Sequence, residues 1–87
     1  MKEYKTLKEF LGSVGEIWYS VGSQQPIFIY NGCRCVGIVG ETLNFKTGEV
    51  VMQSIEIRPV NITDKITHYA GGSIYITFPE TSEKFYK

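Results

Sequence analysis

Cys33, Arg34 and Cys35 stand together near the middle of the chain, and thiols are strong metal ligands and nucleophiles. On a strand, residues two apart point the same way, so the two sulfurs share a face. A closed structural zinc site takes about four ligands. The sequence holds two Cys and one His, so one copy completes such a site only with carboxylates, whereas a symmetric pair of copies brings four thiolates. A disulfide across a single residue is strained, and a reducing compartment keeps such thiols free. The reading carried forward is two small buried side chains, with no metal and no cofactor.

His68 is the single histidine, and Asp64, the single aspartate, lies four residues before it. On a helix that spacing sets them side by side, with Asp64 orienting His68 as a base. A nucleophile is still required, and neither Cys nor any of the six serines sits in a nucleophile elbow. Glu41, Glu49 and Glu56 fall on a central hairpin, where carboxylates ordinarily face solvent, and none has metal or glycosidase spacing. Gly32, Gly37 and Gly40 lack the lysine of a phosphate loop and open no helix. They read as bend glycines.

Aromatic residues remain, 14% of the chain. Trp18, Tyr19, Phe28, Tyr30, Tyr75 and Phe78 fall on strand-like runs, and most are expected in the core. Strand parity sends Trp18 and Tyr19 to opposite faces. Exposed strand aromatics stack on bases or anchor protein interfaces. Phe45 lies at a turn tip, where a ring seldom buries within its own domain, and suggests a partner or a second copy. Phe45, Tyr30, Trp18 and Tyr75 are the candidate partner-binding residues.

The elements that position these residues follow from periodicity. Tyr4, Leu7, Phe10, Leu11 and Val14 make an apolar stripe that predicts a helix over residues 4–14. Thr6 and Glu9 match a capping box, and Gly12 and Gly15 end the helix. At about two turns it needs an apolar sheet beneath it. Strands are predicted over residues 17–21, 27–30, 33–43, 50–58 and 73–78. Asn31-Gly32 is a tight hairpin turn, and residues 44–49 make a type I turn closed by a left-handed Gly48. Gly37 and Gly40 predict a bulge or bend in the third strand. Residues 60–70 read as either a short strand or a helical turn. Ile74, Ile76 and Phe78 are expected on one face, with Tyr75 and Thr77 on the other.

The expected fold is thus α+β, mostly β: a short N-terminal helix packed on a curved antiparallel sheet or small barrel of five to six strands. The 87 residues suffice for one domain and bury a small core. Binding then falls on a surface, groove or interface rather than in a deep pocket. Nine Lys and Arg balance nine Asp and Glu, which gives no long-range pull toward nucleic acid or membrane. Lys2, Lys5, Lys8, Lys84 and Lys87 cluster at the ends, and make a basic patch only if the termini meet. No apolar run has membrane-spanning length and no signal core follows Met1. The sequon at Asn61-Ile62-Thr63 therefore carries no weight, and a cytoplasmic protein is expected.

In general character the chain resembles the small accessory proteins of phages and other mobile elements: short, compact, Tyr- and Lys-containing, neutral and without catalytic motifs. The missing catalytic sets, the small core and the exposed aromatics point to a non-enzymatic protein that binds another protein, as an inhibitor of a host or defence factor, and the open edges of a curved sheet point to self-association. The alternative is a binder of single-stranded nucleic acid or a small nucleotide through a sheet face or a subunit interface.

Overall fold

The computed structural model describes residues 3–19, 21–22, 24–60 and 73–85. Among them lie one helix, α1 (Leu7–Ser13), and five strands: β1 (Trp18–Tyr19), β2 (Pro26–Tyr30), β3 (Cys33–Leu43), β4 (Val50–Pro59) and β5 (Ile74–Phe78). The strands form one antiparallel sheet in chain order, β1-β2-β3-β4-β5. The sheet is open rather than closed into a barrel, and the fold is α+β, mostly β, as expected. Residues 60–70, with Asp64 and His68, lie outside the described residues except for Val60.

Local chemistry sets most boundaries. Thr6 caps α1 from an extended conformation, its hydroxyl accepting from Glu9 N at 3.0 Å. Without that cap the first turn leaves its N–H groups unsatisfied. The helix therefore begins at Leu7 rather than residue 4. Tyr4 stays outside it and packs edge-on against Phe10, ring centroids 5.2 Å apart, much as a hydrophobic staple does. Gly12 lies within the helix, contrary to expectation; Gly15, at φ +86°, turns the chain out of it.

Two turns build the meander. Asn31 and Gly32 both take positive φ, 52° and 77°, and join Tyr30 directly to its partner Cys33. This is the two-residue hairpin whose twist matches that of the strands. At the other end of β3, Asn44 Oδ1 accepts from Lys46 N at 2.9 Å, Gly48 N donates back to Asn44 O, and Gly48 takes φ +76°. The β3–β4 ladder runs unbroken through Gly37 (opposite Ile57) and Gly40 (opposite Ser54); its register shifts only between Thr42 and Leu43. The bulge therefore does not fall at the glycines. Gly37 serves close approach instead: a Cβ there would sit 2.7 Å from Ile55 Cδ1 and 3.0 Å from Phe28 Cε1.

One face of the sheet carries Phe28, Cys35, Val39, Ile55, Ile57, Ile74 and Phe78, and α1 closes over it with Leu7 and Phe10. Phe10 is the hub. Its ring lies 6.0 Å from Phe28, 6.1 Å from Tyr30 and 6.0 Å from Phe78. Burying such side chains contributes about 1.5–3 kcal/mol each, which is what holds a helix this short in place.

Candidate binding surface

The alternation of strand side chains leaves a second face opposite α1. The register aligns Trp18 with Ile27, Ile27 with Val36 and Val36 with Arg58 in one row. Ile29 pairs with Arg34 in the next, and Ile38, Glu56 and Tyr75 form another. Partners in a ladder share a face, so these residues and Met52 all point away from the helix. Trp18, Ile29, Met52 and Tyr75 are exposed, the last at 62%, and Ile27, Val36 and Ile38 are half-buried.

Some polar groups on this outer face have partners within it. The Arg34 guanidinium lies 5.9 Å from the centre of the Trp18 ring, within cation–π range. Arg58 Nε donates to Glu56 Oε2 at 2.8 Å. The Tyr75 and Ser54 hydroxyls are bonded to each other at 3.0 Å.

A second exposed feature is the tip of the β3–β4 hairpin. β2 reaches β3 only as far as Val36, and β5 meets β4 only from Gln53 onward. The ribbon beyond them pairs with itself. There Phe45 is 91% exposed, with Leu43, Val51 and Met52 also exposed. The tip is nonetheless well tied. Asn44 N donates to Glu49 O at 2.8 Å, Glu49 N to Thr47 Oγ1 at 3.2 Å, and Asn44 Oδ1 accepts from Lys46 N and Thr47 N. An apolar ring thus stands in solvent on an ordered turn.

The four predicted binding residues separate into three places. Trp18 and Tyr75 share the outer face, at opposite edges of the sheet. Phe45 stands alone at the hairpin tip. Tyr30 lies on the helix side, half-buried beside Phe10. Tyr19, at 55% exposure, also faces the helix side, with its ring 6.4 Å from Phe85.

Sequence reasoning missed a polar cluster on the helix side. Glu41 was expected in solvent on the hairpin. It sits instead across from Gln53 on the core face, where its Oε2 accepts from Gln53 Nε2 at 2.9 Å and from Phe85 N at 2.8 Å. Gln53 is fully buried. Its Nε2 also donates to Glu83 O, and its Oε1 accepts from Ser82 N and Ser82 Oγ. The signal was present in the strand pattern, since Gln53 shares the parity of Ile55 and Ile57.

That cluster holds the C-terminal segment against α1. Glu80 N donates to Lys5 O at 2.9 Å, so the two ends do meet. They form a shallow groove of about 230 Å³ lined by Leu7, Lys8, Leu11, Ser82, Glu83, Lys84 and Phe85. Glu83 beside Lys8 and Lys84 makes its charge mixed rather than basic.

Cys33 and Cys35 share the core face as parity requires; neither is in a disulfide, Cys35 is buried and Cys33 half-buried. Among the described residues no group of three His, Cys, Asp or Glu side chains is placed to hold a metal ion, no buried side-chain nitrogen or oxygen lacks a partner, and no helix is long and apolar enough to cross a membrane. In comparisons with known proteins, no family model, no curated protein and no solved structure matches this chain.

Proposed function

We propose that this chain is a non-catalytic binding protein that acts in the cytoplasm on another protein, as an accessory protein of the phage or mobile-element type inhibiting a host or defence factor. The observation that carries the reading is Phe45: an aromatic ring 91% exposed on a turn held by its own hydrogen bonds. Rings are the anchors that carry most energy in protein interfaces, and an ordered tip loses little conformational entropy on docking.

A second reading rests on the Arg34–Trp18 contact on the outer face. Stacking platforms beside a cation suit single-stranded nucleic acid or a nucleotide. The balanced charge of the chain works against it, because phosphate binding depends on an excess of cations.

Parallel affinity capture from the native host with the wild-type chain and with Phe45→Ser tests the proposal. The expected result is a stoichiometric protein partner held by the wild type and lost by the variant. Capture of nucleotide or nucleic acid without a protein overturns it in favour of the second reading.

A further inference from the structure

We infer that the outer face of the sheet is the contact through which two copies of this chain pair, sheet against sheet, as a symmetric dimer. An antiparallel sheet with one face in water ordinarily alternates apolar and polar residues. β3 and β2 do not: Val36, Ile38, Ile27 and Ile29 point outward while Cys35, Val39 and Phe28 point into the core. Strands that are apolar on both parities are strands covered on both faces. α1 covers one, and among the described residues nothing lies on the other.

The dimensions suit a second copy. β2 reaches β3 only to Val36 and β5 meets β4 only from Gln53, so the face is a staggered strip of fourteen outward positions from Trp18 to Thr77, each about 4.8 Å by 6.8 Å. That is roughly 450 Å² of projected area per copy, so pairing buries about 900 Å² in total, close to the ~1,000 Å² of a specific interface. Two identical twisted sheets stack face to face at about 30°, and a two-fold contact asks only that the patch complement itself. Here Ile38 and Met52 lie on either side of a row of small residues, Gly40, Ser54 and Thr77, with the Tyr75 hydroxyl bonded to buried Ser54. Some of its polar groups have partners within the copy: Tyr75 with Ser54 and Arg58 Nε with Glu56. Arg34, over the Trp18 ring, and Arg58 are exposed at one end of the face, where their other guanidinium N–H groups stay in reach of water at the rim of the contact. The zero net charge of the chain puts no long-range repulsion between copies. Trp18 and Tyr75 then serve self-association, and the hairpin tip with Phe45 remains free for a partner.

Sedimentation equilibrium up to about 100 μM, on the wild type, Ile29→Lys, Met52→Lys and Phe45→Ser, tests the inference. The wild type should sediment at twice the 9.9 kDa of one chain. Ile29 and Met52 are exposed within one copy, so each variant keeps the fold, read by far-ultraviolet circular dichroism. Each nevertheless brings two like charges into the contact and should weaken dimerisation by at least about 100-fold. Trp18 emission should shift to the red on dilution of the wild type, and should already be shifted in Ile29→Lys. Phe45→Ser should pair normally, so a failure here is separate from a failure of the partner-binding proposal. A wild type that sediments as one chain throughout overturns the inference, whether the face then binds an oligothymidylate strand with steep salt dependence or another protein. Lysine variants that pair as tightly as the wild type overturn it equally.

Discussion

Gln53 Nε2 donates to Glu41 Oε2 at 2.9 Å across the β3–β4 ladder, and the paired side chains together hold the C-terminal segment, Glu41 through Phe85 N. Because Gln53 also holds Ser82 and Glu83, its amide is shared between β3 and the C-terminal segment. A fully buried amide is tolerated only when all its hydrogen-bonding positions are filled.

Gln53→Leu removes both ends of that network at nearly constant volume. Ser82 N, Glu83 O and the Glu41 carboxylate then lose a partner in a partly buried site. The expected loss is about 2–3 kcal/mol, read as a lower urea midpoint at unchanged slope. Amide exchange at Ser82 and Phe85 should quicken more than exchange in β3 and β4. Equal acceleration everywhere would show that the cluster does not specifically hold the C-terminal segment.

Gly37→Ala and Gly12→Ala should move stability in opposite directions. At Gly37 the new methyl meets Ile55 Cδ1 at 2.7 Å, and overpacking of this kind costs about 1–3 kcal/mol. At Gly12 nothing lies within 4 Å and the backbone is helical, so alanine should stabilise by roughly 0.5–1 kcal/mol. Thermal melts of the two variants beside the wild type decide it.

Phe10→Ala should leave the chain barely folded. The ring touches those of Tyr4, Phe28, Tyr30 and Phe78, and its loss costs about 3–5 kcal/mol. A domain of 87 residues has roughly 4–13 kcal/mol in total. Near-ultraviolet circular dichroism should collapse toward the unfolded signal in modest urea.

Phe45→Ser should behave otherwise. The ring is 91% exposed, so stability should stay within about 0.5 kcal/mol of wild type while partner capture is lost. A variant that lost both stability and capture would mean that the ring is packed at home.

What the sequence by itself determined was local. β3 was legible to the residue, β4 and β5 to within one. Asn31-Gly32 and Gly48 marked two turns that the structure contains, and Thr6 marked the cap, although the apolar stripe placed the helix start at residue 4. Alternation, turn residues and caps act over a few neighbouring positions, so they can be read without knowing what lies across the sheet. β1 proved shorter than the strand predicted over residues 17–21, because strand length is set by the neighbour, and β2 pairs with it only at Pro26 and Ile27.

The rest needed the tertiary structure. Val36 and Ile38 are as apolar as Cys35 and Val39, so parity alone did not say which side of β3 received the helix. Gly37 looked like a bulge because a missing side chain reads the same whether it interrupts the ladder or makes room for Ile55 and Phe28. Glu41 looked like a solvent carboxylate because its partners, Gln53 and Phe85, lie 12 and 44 residues away. Sheet closure depends on twist summed over five strands, and came out open. Tyr30 and Trp18 read alike in sequence, as aromatic residues on strands. Only the packing of α1 over one face placed Tyr30 beside Phe10 and left Trp18, with Tyr75, on the other.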